Sequence, residues 1–390
     1  MKQLLTILLC FMLLQPAYAK KYSVSSQAGF QELEDKLQPG DEVLILAGNY
    51  ENWSVKLHVK GTAQNPVIIR GAGQGKTVFT GLVKACIFQL SGDYIILENL
   101  TFKNANLVKE QAGTGMLIEL KGAKYCQVKH CSFIANQVSS QFLPLVSITR
   151  DGLYNVVSHC SFISNINSID LQVKITNEDL PQYTHIRKNI FSDKQKVSWA
   201  NGNGGECVQV GQDPILLGTK AAFCTVENNR FIRCNGENEV ISNKSSGNKY
   251  LNNYFQDNDG ELVLRGGHDC LIEGNVFKGG TGGIRINGTG HQVINNNLSG
   301  IETAIRLMYG MAKGKTDTGF YIAASGCIVK GNKISHATTG ILEGGSKNAD
   351  WTGKFDTKRY PSRVFQDVAP FDNVFSDNEF TGVKTAISHL

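Results

Sequence analysis

Proline is scarce in this chain, eight residues in 390, so few strands are barred from a backbone ladder. Beyond the first twenty residues no apolar run is long enough to cross a bilayer, which excludes a later helical membrane span. No block of Lys and Arg interleaved with aromatics appears, so nucleic acid has no electrostatic footprint here. The GxGxxG, P-loop and HExxH patterns are all missing, which sets nucleotide and zinc-peptidase chemistry aside. Cysteine is present, but never as a CxxC pair, so a zinc site of that kind is excluded.

What is present begins with an export signal. Lys2 supplies a positive start, Leu4 to Leu14 is apolar, and Ala17-Tyr18-Ala19 is a small-x-small cleavage site. Residues 1–19 are expected to be removed, leaving a secreted or periplasmic chain beginning near Lys20. Cys10 lies inside the apolar run rather than just after the cleavage site, which argues against a lipoprotein. Nine cysteines then remain, an odd number, so at least one is unpaired within the chain. The formal charge of +5 falls by one with Lys2, a weakly basic balance that suits an acidic ligand.

About 370 residues are long for one ordinary core, but a repeat architecture escapes that limit because each unit need only cover its neighbour. The repeat is visible. VENNRF ends at Phe231, YLNNYF at Phe255, LIEGNVF at Phe277 and VINNNL at Leu298, at intervals of 24, 22 and 21 residues. Looser copies end at Phe102, Phe133, Phe162 and Phe191, and two more at Ile334 and Phe380. Such a period is one coil of a right-handed parallel β-helix, with longer intervals absorbed by corner loops. Asn189, Asn229, Asn253, Asn275, Asn296, Asn332 and Asn378 each stand two before the terminal hydrophobe. Stacked about 4.8 Å apart, their amides would bond one another at a bend. Cys131 and Cys160 hold the same slot in earlier coils, close enough for either two thiols or a disulfide. Phe30, Leu33 and Leu37 predict a helical lid ended by Gln38-Pro39-Gly40, followed by a first strand from Glu42 to Leu46. Nothing marks a second domain, so residues 20–390 are expected to be one solenoid, with a long loop around Met311 to Thr318.

A second strand of each coil carries the chemistry. Lys244, Arg265, Arg285 and Arg306 follow one another at 21, 20 and 21 residues, and each arginine comes after an apolar residue that the alternation points inward. The spacing predicts an outward row of four cations, one per coil. Such a row needs a negative counterpart, and a linear polyuronate supplies one. Glu237 and Glu239 precede Lys244, and Asn203 stands about one coil earlier. These oxygen ligands suit a hard cation such as calcium, or the two carboxylates simply pair with Lys244 and Arg265.

NGGE at Asn203 to Glu206, ENEVISNKSSGN at Glu237 to Asn248 and LVLRGG at Leu262 to Gly267 resemble polysaccharide lyase family 6. That family contains alginate lyases and the dermatan-cleaving chondroitinase B. GGIRI at Gly282 to Ile286, followed by His291, is similar to the same family. The resemblance implies that Lys244 is the base, Arg265 the acid, and Asn203, Glu237 and Glu239 the calcium ligands. It makes Arg285 a contact to a substrate carboxylate, with His268, His291 and Arg306 completing the substrate side. One departure stands out: the family usually has His directly after the catalytic Arg, whereas Gly266-Gly267 precede His268 here. Alginate is the first expected substrate, dermatan or chondroitin sulfate the second. The rival readings are a β-helix glycoside hydrolase using Asp257, Asp259 or Asp269, and a glycan-binding protein without catalysis.

Overall fold

The computed structural model describes residues 19–111, 113–213, 218–317 and 319–390. The expected export signal, residues 1–19, lies outside the described residues up to residue 18. Three long parallel sheets of 13, 12 and 13 strands wrap one apolar interior, each coil giving one strand to each sheet. One such coil is Glu239–Lys244, Lys249–Leu251 and Tyr254–Asn258, after which Glu261–Gly266 starts the next. The chain is a parallel β-helix, and no described helix is long and apolar enough to cross a membrane.

The sequence folds this way because its corners are written for it. Between the second and third strand of successive coils stand Asn228, Asn252 and Asn295, with φ of 54°, 53° and 56°, and Gly274 and Gly331 take the same place in other coils. Asn and Gly tolerate that left-handed turn better than other residues. The next residue is the ladder asparagine, pointing inward. Each Nδ2 donates to the Oδ1 of the following coil at 2.9–3.0 Å, unbroken from Asn189 to Asn378. Each Oδ1 also accepts a backbone N–H, as Asn253 does from Asn229 at 3.0 Å. Cys160 and Cys131 fill the slot below, their thiols donating to backbone carbonyls. All nine described cysteines are free thiols. Beside the ladder the expected phenylalanine column is continuous from Phe79 to Phe277, with ring centroids 4.3–5.3 Å apart.

The lid differs from its prediction. The helix spans only Gln27–Gln31, capped by Ser26 on Gly29 N–H, and the chain then turns. Glu32, Glu34 and Asp35 follow it, and carboxylates at a helix C-terminus oppose its dipole. Phe30 is fully buried against Trp53 and Phe88, and Leu37 is buried from the turn rather than from the helix. A strand, Lys21–Val24, also precedes the helix and pairs with Glu42–Ile45, so the solenoid starts one strand earlier than expected.

Candidate active site

The site lies on the outer face of the 12-stranded sheet. There the row of four cations resolves into two pairs. Arg285 pairs in register with Arg306 on one side and with Val263, not Arg265, on the other. Asn243 pairs with Leu264 but Lys244 with Gly266, so Arg265 is an extra residue, a bulge. A bulge re-aims a side chain beside a site. Equal spacing in sequence missed it because one inserted residue leaves the interval almost unchanged.

Carboxylates come from the coil edge below. Gly204 and Gly205 donate backbone N–H groups to Glu237 Oε2 at 2.6 and 3.3 Å. A Cβ on Gly205 would meet the Gly236 carbonyl carbon at 2.6 Å, so only glycine allows this approach. Glu206 follows and turns into the sheet. Ligand oxygens of Glu206, Glu237 and Glu239 lie within 4.8 Å of one another. Glu206 Oε1 accepts from Gln209 Nε2 at 2.6 Å, while its buried Oε2 has no hydrogen-bond partner among the described residues. Burial and the neighbouring carboxylates push Glu237 well up, and burial pushes Glu206 up. Glu239 goes the other way. Its burial is outweighed by Arg285, Lys244 and Arg265, which hold it below the usual carboxylate range.

Three crowded carboxylates and an unpartnered buried oxygen fit a hard divalent cation. Asn203 lies on the exposed rim of the same cleft, its backbone carbonyl accepting from Gln141. The expected set of Asn203, Glu237 and Glu239 therefore left out Glu206, the deepest of the acids. The signal was available, because Glu206 closes the NGGE motif behind two glycines.

Lys244 is only 5% exposed, sunk into the floor of the cleft rather than standing free on the face. Its Nζ donates to Ser242 Oγ at 2.9 Å. Burial first, then the Arg265 guanidinium, lower its pKa against the opposing pull of the carboxylates. Arg265 lies over the rings of Phe320 and Tyr321, 4.6 and 4.9 Å from their centroids, and its buried Nε has no described partner. These rings follow the stretch expected to be a long loop, in the connection between Thr303–Met308 and Ile328–Lys330, and no sequence pattern tied them to the site.

Of the remaining predicted residues, Arg285 stays at the acidic cluster while Arg306 and the two histidines separate from it. Arg285 donates to Glu239 at 2.6 Å, and Arg306 forks onto Glu261 at 2.9 and 2.5 Å. The negative counterpart of these arginines is thus already in the chain. His268 is carried round the corner by Gly267 (φ +92°) and buried under Gly218, outside the cleft. His291 is fully buried, its Nδ1 accepting from Cys270 N–H and its Nε2 donating to Asn287 O; burial drives its pKa down to about 3. Neither imidazole lines the cleft, which corrects their expected place on the substrate side. The carboxylates of the rival hydrolase reading also stand apart: Asp257 and Asp269 are at left-handed corners, Asp269 is held by Lys315, and Asp259 accepts from Thr281.

The cleft over Lys244 and Arg265 has a volume of about 530 Å3 and is walled by Phe142, Phe320, Phe355, Arg359 and Tyr360. It offers a buried lysine of lowered pKa, an arginine and an acidic cluster at one point of a groove.

The chondroitinase B family model matches residues 24–348. Among solved structures, the family 6 alginate lyase AlyGC is similar with a TM-score of 0.75 and 24% identity over 90% of this chain. The chain spans 47% of AlyGC's length. A mannuronic acid-specific family 6 lyase from human gut microbiota has a TM-score of 0.71 and 26% identity, covering 84% of this chain and 76% of its own. The family 6 polysaccharide lyase of Pseudopedobacter saltans reaches 0.69 at 20% identity, covering 94% and 92%. At the identities of AlyGC and the Pseudopedobacter protein the likeness is one of fold. No curated protein matches the chain in sequence.

Proposed function

The chain belongs to the chondroitinase B family, and on that footing we propose that it is a secreted polysaccharide lyase that cleaves a uronate polymer, alginate first, by β-elimination. One observation carries this: Lys244 is buried, lowered in pKa, and set beside Arg265 at the foot of a groove. A lysine serves as a base only when its pKa falls well below ~10.4. Neutral Lys244 Nζ takes the proton from C5 of a uronate. The electron pair left behind forms the C4–C5 double bond, the C4–O4 bond breaks, and the departing O4 takes up a proton from solvent water. Arg265 stands where it stabilises charge on the departing oxygen, its guanidinium being a reluctant proton donor.

Glu206, Glu237 and Glu239, with Asn203 at the rim, are the residues that would hold calcium. A calcium ion there would neutralise the uronate carboxylate and so acidify C5. Export follows from the apolar start and the Ala17-Tyr18-Ala19 site. Alginate is favoured because the similar gut lyase is specific for mannuronic acid; dermatan or chondroitin sulfate is the second choice, since the matching family model is that of chondroitinase B. The test is incubation with alginate, polymannuronate, polyguluronate and dermatan sulfate, following ultraviolet absorbance of the unsaturated product. Absorbance should rise with alginate or polymannuronate. Cleavage without absorbance would mean hydrolysis and would end the proposal.

A further inference from the structure

We infer that this enzyme works from a chain end, seating one terminal sugar in a small chamber behind Arg265; this rests on the lyase reading and names how that site meets its polymer. Two unequal spaces meet at the acidic cluster, and both are lined by Asn203, Glu237, Glu239 and Arg265. The larger, about 530 Å3, shares Phe142, Gln172 and Gln212 with a further groove of about 490 Å3. That groove runs toward the N-terminal lid and carries Lys56, Lys109 and Lys174, cations suited to a polyuronate. The track on this side is long and continuous through those shared residues.

The other side is short. Behind Arg265 the space is about 180 Å3, below the ~300–1,000 Å3 of pockets that take drug-sized ligands, so it takes one sugar ring rather than a run of them. Arg285 and Arg265 both line it; Arg285 is held by Glu239, which leaves Arg265, lying over Phe320 and Tyr321, to meet an anionic sugar. Its back is a wall pinned by hydrogen bonds. Gln366 is 2% exposed, donates to Tyr309 O at 2.8 Å and accepts from Trp351 Nε1 at 2.8 Å. Trp351 and Gln366 belong to a strap whose feet, Ala349–Asp350 and Phe365–Gln366, pair antiparallel. The strap lies beyond residues 24–348, the part matched by the family model. A polymer entering along the long groove therefore presents its last ring to the chamber, and the bond at the chamber mouth lies at Lys244 and Arg265.

The experiment follows product size and viscosity together during alginate cleavage by the wild-type protein and by Trp351→Ala. Wild type should release unsaturated monouronate from the first turnovers, with viscosity falling no faster than bonds are broken. Trp351→Ala takes away the wall and should lengthen the first products to two or more sugars. A spread of oligosaccharides from wild type at the outset, with rapid loss of viscosity, would overturn the inference. So would a well-folded Trp351→Ala with wild-type products, because the strap would then not set product length. Failure to form any unsaturated product from any polyuronate is a different signature: the lyase reading falls first, and the chain-end inference with it.

Discussion

The asparagine ladder and the carboxylate cluster are both buried and polar, and they share the same coils. In the ladder every amide meets the same partners from coil to coil, and nothing is left over. In the cluster nothing repeats: Glu206 keeps an unpartnered oxygen, Arg265 an unpartnered Nε, and burial drives Glu206 up while nearby cations hold Glu239 down. Satisfied burial stabilises and unsatisfied burial costs, so the ladder holds the solenoid while the cluster is held by it. Strain of the second kind gathers at working sites because a ligand or a transition state relieves it.

That contrast breaks most sharply at Lys244. Lys244→Ala should lower turnover at least ~100-fold, within the range of general-base catalysis. Wild-type activity should fall as pH drops, because protonation removes the neutral amine, and that limb should lie below the ~10.4 of a free lysine, since burial and Arg265 lower its pKa. Initial rates across pH, with thermal melts alongside, check both. A folded Lys244→Ala with near wild-type rates would leave the cluster no more functional than the ladder.

The opposite side of the contrast is Asn253→Ala. It deletes donations to Val226 O and Asn275 Oδ1 and removes the acceptor for two Asn229 donors. At ~1–3 kcal/mol for a buried group left unpaired, a loss of about 2–4 kcal/mol of stability is expected. Activity per folded molecule should hold. Denaturant unfolding and specific activity measure the two separately, and a rate loss at unchanged stability would erase the distinction.

Glu206→Gln gives the smallest effect and sharpens the comparison within the cluster. Removing one of three crowded charges should weaken calcium binding by about tenfold, roughly 1.4 kcal/mol, by calorimetry. The metal-free protein should melt no lower, because a repelling buried charge has gone. Loss of stability without loss of calcium affinity would make Glu206 a structural residue of the ladder's kind.

Much of this molecule was legible in its sequence. The Asn-x-Phe interval yielded the solenoid, the ladder and the phenylalanine column, because a repeat places each coil on its neighbour with little freedom left. Glu237, Glu239, Lys244 and Arg265 were legible for the same reason, lying in adjacent coils. What the tertiary structure alone decided are the departures from period. The bulge at Arg265 split one cation row into two pairs. Glu206 proved the deepest of the acids, His268 and His291 turned away from the cleft, and the loops bearing Phe320, Tyr321 and Trp351 folded back over Arg265. A periodic pattern fixes position modulo one coil; an inserted residue or a long loop has no period, and only packing against the finished solenoid places it.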